Sequence, residues 1–395
     1  MSKPYPVIFV PGLFGSMSDE IIPGTGGWHF GLAGIVYEPF IKLLQETLNL
    51  QLNENLFIAF YDWRKPIEHS AKKYLFKKIQ EVKKHTKAKK VRIICHSMGG
   101  LVTRSYVQSH YYKKDVDQIF MIATPNAGSP PNYCYWAAGY MPLPSDHVNL
   151  VHLYMKGYLW LLEKEHPNQP IASIHKQFQG LENILPCSTY GSYLLQRNEI
   201  EMKWITYENM ETKNIFLDKL NQKAGKIKSR GISLAIVAGV GEQTVEAFIT
   251  SPYHTTDKWV DGKVIEGLTT YLGDSNATMK SVLSIEGKHY CIKGTHNELL
   301  FKSLPLIADE FNVALTTSPR HELETSYTHY LIEGCGVIQS DHLHLLSHNN
   351  RHFVMIPHDH SIFYKATEDE EITVHHNMNT KKFTLKRNES ITISF

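Results

Sequence analysis

Six short runs of apolar, β-branched or aromatic residues recur through the first three quarters of the chain: PVIFV, FIAFYD, VRIICH, QIFMIAT, ISLAIVAG and KHYCIKG. Each has the length of a strand and gives way to turn residues or to a helical pattern. Between the second and third runs, Ala71, Tyr74, Leu75, Ile79 and Val82 return at helical spacing while lysines take the other face. That spacing predicts a crossover helix packed on a sheet. Strand runs alternating with helices predict an α/β fold, a doubly wound and mostly parallel sheet with helices on both faces.

Two stretches depart from this alternation. Over 129–230 the sequence turns aromatic and proline-punctuated, beginning SPPNYCYWAAGYMPLPSDHVNLVHLYMKGYLWLL. An insertion of this kind between sheet strands predicts a helical cap rather than a separate domain. Near the C-terminus, EITVHH, KKFTLKR and SITISF set Ile372/Val374, Phe383/Leu385 and Ile391/Ile393/Phe395 at every second position, which predicts a small antiparallel β unit. The expected division is a catalytic domain over 1–315, with the cap at 129–230, and a β-rich accessory domain over 316–395.

Composition narrows the class. The 395 residues are 42% hydrophobic and 20% charged, enough apolar material for a large core. Lys plus Arg number 41 against 39 for Asp plus Glu, a net charge of +2, so no nucleic-acid partner is expected. No segment reaches the roughly 18–20 uninterrupted apolar residues of a spanning helix, and the N-terminal run MSKPYPVIFV meets Pro11-Gly12 too soon to be a leader. Five scattered cysteines form no close pair of metal-binding spacing, and an odd number suits a reducing compartment. A cytoplasmic protein is expected.

The chemistry concentrates around VRIICHSMGGLVTRSYV, 91–107, where one serine stands between a strand run and a helical pattern. Ser97 is either a helix cap or a nucleophile raised on a strand-to-helix turn. The turn requires small neighbours, because the backbone is strained and the helix passes close to the strand. Gly99 and Gly100 suit the nucleophile, whereas Cys95 stands where a glycine is usual. The turn after the first run, VPGLFGS, places the backbone N–H of Leu13 beside that of Met98, a candidate oxyanion hole. An acid and then a base should follow in the chain. Asp274 in YLGDSNATMKS and His296 in YCIKGTHNELL are the candidates, with Asp257 and Asp261, and His254 and His289, as competitors. His96 leaves the elbow in another direction and is expected to support the site rather than act as base.

The motifs together resemble the lecithin:cholesterol acyltransferase branch of the α/β-hydrolases, which includes phospholipases, lipases and acyltransferases. VPGLFGS is similar to its oxyanion segment, YDWR at 61–64 to a tetrapeptide before its first crossover helix, and HSMGG to its elbow. ATPNAGSP, LGDSNATMKS and GTHNELL resemble the later loops, so the likeness runs from Pro6 to about Phe311. It implies an α/β-hydrolase fold, Ser97 as nucleophile, Asp274 as acid, His296 as base, and Leu13 and Met98 as oxyanion donors. The family's acid loop usually reads glycine-aspartate-glycine-threonine-valine; here Ser275, Asn276 and Ala277 follow Asp274. The implied activity is acyl transfer from a lipid ester to water or an alcohol, without a cofactor.

Aromatic residues of the cap, Tyr133 and Trp136 among them, suit either an acyl-binding cleft with transient membrane-surface contact or plain core. Tyr61 and Trp63 are expected to line or buttress the same cleft, and Asp62 and Arg64 to form a structural ion pair. A catalytically idle scaffold serving as a binding module is the alternative. Histidines cluster in HLHLLSHNNRH, PHDH and VHH, but their irregular spacing predicts no metal site.

Overall fold

A computed structural model describes residues 5–140, 142, 150–165, 170–198, 201–252 and 258–313, together with a set of strands between 336 and 394. Its centre is a six-stranded sheet, all of whose neighbours run parallel. From edge to edge the strands are Lys288–Lys293, Ser233–Val240, Val116–Ile122, Val91–His96, Val7–Val10 and Leu56–Ile58. Five of the six predicted runs match within two residues at either end. FIAFYD contributes only its first residues to the strand; one further bond, Ala59 N–H to Phe9 O at 2.9 Å, extends the pairing. Tyr61 and Trp63 then leave the sheet in a loop.

Successive strand residues point to opposite faces, and two cores result. Ile93 and Cys95 pack with the crossover segment Ile67–Thr86 and the helix Met98–Gln108, while Ile94 and Phe120 pack with the helix Gly34–Leu48 and with Leu299, Leu304 and Ile307. The predicted crossover residues Ala71, Leu75, Ile79 and Val82 are buried, although the segment passes through a single π turn at Ala71–Leu75.

The insertion holds the helices Asn132–Ala138, Leu150–Glu165, Pro170–Gln177 and Ile215–Gln222. It is not wholly helical. Leu194–Arg197 and Met202–Ile205 pair antiparallel, and the first also pairs with Thr244–Ser251, which pairs with Lys263–Thr270. The strand pattern is faint here because these are short strands with mostly half-buried or exposed side chains, so strict alternation is not required.

The C-terminal strands confirm the expected β unit. Ser347–His348, Arg351–Ile356, Gly336–Ser340, Glu370–His376 and Asn379–Leu385 lie side by side in one antiparallel sheet. Ser361–Lys365 pairs separately with Ser390–Ser394.

Candidate active site

In an all-parallel sheet every strand delivers its C-terminal end to the same edge, and the chemistry-bearing loops gather there. Ser97 follows Val91–His96, the Pro11–Leu13 turn follows Val7–Val10, and His296 follows Lys288–Lys293. Asp274 is bridged to Glu242, just beyond Ser233–Val240.

Ser97 has φ 54° and ψ −130°, a conformation that an L-residue adopts only under constraint. Its N–H is held by Ile122 O at 2.9 Å and its carbonyl accepts from Gly100 N at 3.0 Å. It occupies the position before the helix Met98–Gln108, yet its side chain makes no capping bond. That separates it from an ordinary helix cap, whose oxygen would accept a backbone N–H. The glycine beyond it is required by space: a Cβ on Gly99 would lie 2.4 Å from both Pro11 O and Val10 O. Cys95 is buried, and that burial pushes its thiol up to about 12, which disfavours the nucleophilic thiolate.

Asp274 and His296, the residues expected as acid and base, lie side by side. His296 Nδ1 is 2.8 Å from Asp274 Oδ2, and Asp274 Oδ1 accepts the backbone N–H groups of Asn276 and Ala277 at 2.9 and 2.7 Å. A second bond, His296 N to Asp274 O at 2.7 Å, ties the two loops at the main chain. The loop lies so close to the sheet that a Cβ on Gly239 would fall 2.5 Å from Asp274 Cβ. A carboxylate can only accept, so Nδ1 carries the ring proton and Nε2 presents a lone pair. Asn276 Nδ2 faces that lone pair at 3.3 Å. Among the described residues no hydrogen bond joins the Ser97 hydroxyl to His296.

Ser97 and His296 nevertheless line the same small cleft, with Leu13, Ala33, Val36, Tyr37, His96, Tyr154 and Asn297. Leu13 is thus on the cleft wall, and Met98, nearly fully buried, begins the helix Met98–Gln108 with its N–H outside the helical bonding pattern. The turn that presents Leu13 is crowded: a Cβ on Gly12 would meet Ser97 Cβ at 2.8 Å.

None of the four residues expected to bind substrate is among those lining this cleft. Tyr61 and Trp63 are buried and buttress the turn at 11–16, donating to Pro11 O at 3.0 Å and to Ser16 O at 2.9 Å. Tyr133 donates to Gly262 O at 2.9 Å, and Trp136 stacks on His175 with ring centroids 3.9 Å apart. Those two belong to the core of the cap. Asp62 and Arg64 form the ion pair, at 2.8 Å. Asp261 accepts the N–H groups of Glu211 and Thr212, and His289 Nε2 meets Ile285 O at 2.9 Å, so both competitors are engaged elsewhere. His254 and Asp257 lie outside the described residues.

Both ring nitrogens of His96 are committed, Nδ1 to Tyr37 Oη at 2.9 Å and Nε2 to His296 O at 3.1 Å. Burial, and then the neighbouring His296, hold its pKa well below the ordinary histidine value. Tyr37 and Asn276 carried no signal in the sequence. Tyr37 sits on the apolar face of a helix beside Phe40, Ile41 and Leu44, where a tyrosine looks like core. Among the described residues no group of His, Cys, Asp and Glu is placed to hold a metal ion; the side chains of the C-terminal histidines lie outside them. Among the described residues, too, no helix is long and apolar enough to cross a membrane.

Residues 31–162 match the model of the lecithin:cholesterol acyltransferase family. The chain has an α/β-hydrolase fold, and over those residues it is similar to that family. No curated protein matches the sequence significantly. Among solved structures this α/β-hydrolase is similar to a Tle4–Tli4 complex, with 12% identity, 79% of this chain and 98% of that one covered, and a TM-score of 0.47. It is also similar to the mature Bacillus licheniformis lipase BlEst2, with 12% identity, 78% and 92% covered, and a TM-score of 0.43. Phospholipase PlaB from Legionella pneumophila is similar at 14% identity, over 60% of this chain and 39% of that one, with a TM-score of 0.31.

Proposed function

We propose that the protein is a serine-dependent hydrolase or acyltransferase of lipid esters, working through an acyl-enzyme. The observation that carries this reading is the shared cleft of Ser97, Leu13 and His296, with the His296 ring anchored to Asp274 at 2.8 Å. In the first step His296 Nε2 takes the Ser97 proton as the hydroxyl oxygen attacks the ester carbonyl. The N–H groups of Leu13 and Met98 receive the negative charge on the carbonyl oxygen. Collapse of the tetrahedral adduct breaks the ester bond, and the departing alcohol takes the proton back from His296. Water or a second alcohol then attacks the acyl-serine, again losing its proton to His296; the adduct collapses with cleavage of the bond to Ser97 Oγ, which takes that proton back as an acid or a new ester is released.

The separation of Ser97 from the ring in the free protein is compatible with this sequence, because catalytic hydrogen bonds commonly form only once substrate is bound. Asn276 Nδ2 would have to give up Nε2 at that moment. The same observation favours the second reading, an idle scaffold that binds without turnover.

An apolar acyl group suits the cleft, whose walls include Leu13, Ala33 and Val36. Beside these lining residues in the chain stand Leu32 and Ile35, 74% and 68% exposed. Across from them the cap helix Leu150–Glu165 exposes Leu153 and Trp160, and Tyr154 Oη donates to Leu32 O at 2.9 Å, tying the two sides together. Apolar residues grouped in this way fit transient contact with a lipid surface through the cap. The division into a catalytic domain over 1–315 and an accessory domain over 316–395 is part of the proposal.

The test is turnover of defined phospholipids, glycerides and a short-chain nitrophenyl ester by the wild type and by Ser97→Ala. The reading expects ester cleavage that disappears in the folded variant. Equal cleavage by both would refute it, and binding without cleavage by the wild type would establish the idle scaffold.

A further inference from the structure

A buried chain of hydrogen bonds runs through the wall of the cleft, and its direction follows by elimination. The Gly12 N–H can only donate, and it gives its proton to Tyr37 Oη at 2.9 Å. The carbonyl oxygen of His296 can only accept, so His96 Nε2, 3.1 Å away, carries a proton. The His96 ring is neutral in its buried setting, which leaves Nδ1 with a lone pair. Tyr37 Oη therefore donates to Nδ1 across 2.9 Å. Each link fixes the next, from the oxyanion turn through Tyr37 and the elbow residue His96 to the main chain of the proposed base.

The chain joins the three segments whose spacing acyl transfer needs, and it uses none of the reacting side chains. There is little slack at its first link. A Cβ at Gly12 would lie 3.0 Å from Tyr37 Oη as well as against Ser97, so the turn is clamped between helix and elbow. Tyr37 is 4% exposed and His96 2%, so water does not readily replace either partner. The His96 and His296 rings are also in contact, with centroids 4.7 Å apart.

We propose that Tyr37 and His96 are a positioning pair, which holds the Gly12–Leu13 turn at a set distance from the His296 loop so that oxyanion donor and base meet the same carbonyl. This rests on the acyl-transfer reading above. It goes beyond that reading by giving a specific task to two cleft-wall residues that neither attack the carbonyl nor carry the transferred proton. A plain core role predicts something different: removing a buried hydroxyl would cost stability and reduce the fraction of folded enzyme, but each folded site would turn over at the normal rate.

The experiment compares wild type, Tyr37→Phe, His96→Leu and His96→Gln. Active sites are counted by titration with a fluorophosphonate, kcat per titrated site is measured on a short-chain ester, and inhibition is measured with a trifluoromethyl ketone, which forms an oxyanion adduct on the serine. Loss of a well-placed oxyanion donor commonly lowers kcat by 10²–10³-fold, so a misplaced one should lower it about tenfold or more. The proposal expects that loss per site in Tyr37→Phe and His96→Leu, with KM within about twofold and the ketone weakened in parallel with kcat/KM. His96→Gln, which can keep one donor and one acceptor, should recover part of kcat. Should Tyr37→Phe not fold, the contrast of His96→Leu with His96→Gln decides the matter. Unchanged kcat per site and unchanged ketone inhibition in the folded variants would overturn the positioning pair alone. A wild type that takes up no fluorophosphonate would instead bring down the acyl-transfer reading, and this inference with it.

Discussion

Asp274 holds His296 by two independent bonds, Oδ2 to the ring Nδ1 at 2.8 Å and the main-chain carbonyl to the His296 N–H at 2.7 Å. The second bond survives any change of side chain. Asp274→Asn therefore keeps the loop in place but can hold the ring in the opposite tautomer, with the proton on Nε2 where a lone pair is needed. We expect kcat to fall by on the order of 10³–10⁴-fold with KM little changed. Steady-state kinetics on a soluble ester checks this, and a loss of less than about tenfold would remove Asp274 from the mechanism.

The elbow leads to a prediction about stability. A methyl group on Gly99 would lie 2.4 Å from the carbonyl oxygens of Val10 and Pro11, and neither backbone atom can move without disturbing the sheet. Gly99→Ala should cost about 1–3 kcal/mol or more. Denaturant unfolding followed by circular dichroism measures it, and a variant as stable as the wild type would show that the helix does not approach the strand this closely.

His96 gives a pH dependence. Its folded-state pKa is depressed by burial, with Tyr37 and His296 as the titratable groups facing it. The unfolded chain therefore binds a proton that the folded one refuses, and stability rises with pH in this range. This contribution is complete above the ordinary histidine value of about 6.5 and is lost progressively as pH falls below it. Between pH 7.5 and 5.5 the thermal midpoint of the wild type should fall further than that of His96→Gln. Equal falls would mean that this ring is not held neutral by the fold.

The apolar surface beside the cleft can be tested without touching the chemistry. Leu32→Asp and Trp160→Asp change exposed side chains. Burying one such apolar residue in a lipid phase is worth about 1.5–3 kcal/mol. Vesicle binding by the double variant should weaken more than tenfold, roughly the effect of 1.4 kcal/mol at minimum, while turnover of a monomeric ester stays unchanged. Vesicle sedimentation and a soluble-ester assay run side by side provide the measurement; unaltered vesicle binding would mean that the cap does not meet the lipid.

Much of this architecture was legible in the order of residues. Val91–His96 and Ser233–Val240 are apolar runs buried on both faces, and such runs stand out because both sides of the strand require apolar residues. Gly99 and Ser97 could be read because a strained turn against a strand admits few residue types. The hairpin of Leu194–Arg197 and Met202–Ile205 was hidden, since half-exposed strands carry no strict pattern. Tyr133 and Trp136 illustrate a different limit. An aromatic side chain packs equally well in a core and in a cleft wall, and only its neighbours in the fold distinguish the two. Tyr37 was invisible for the converse reason: its ring belongs to the apolar helix face, while its hydroxyl finds partners in segments 25 and 59 residues away.

The most direct measurement is intact-protein mass spectrometry after exposure to a fluorophosphonate, with the modified peptide sequenced. An activated serine in the cleft predicts one adduct per chain, carried by Ser97, and no adduct in Ser97→Ala or in His296→Ala at the same exposure. A folded wild type that remains unlabelled, or that is labelled at another residue, would contradict the account.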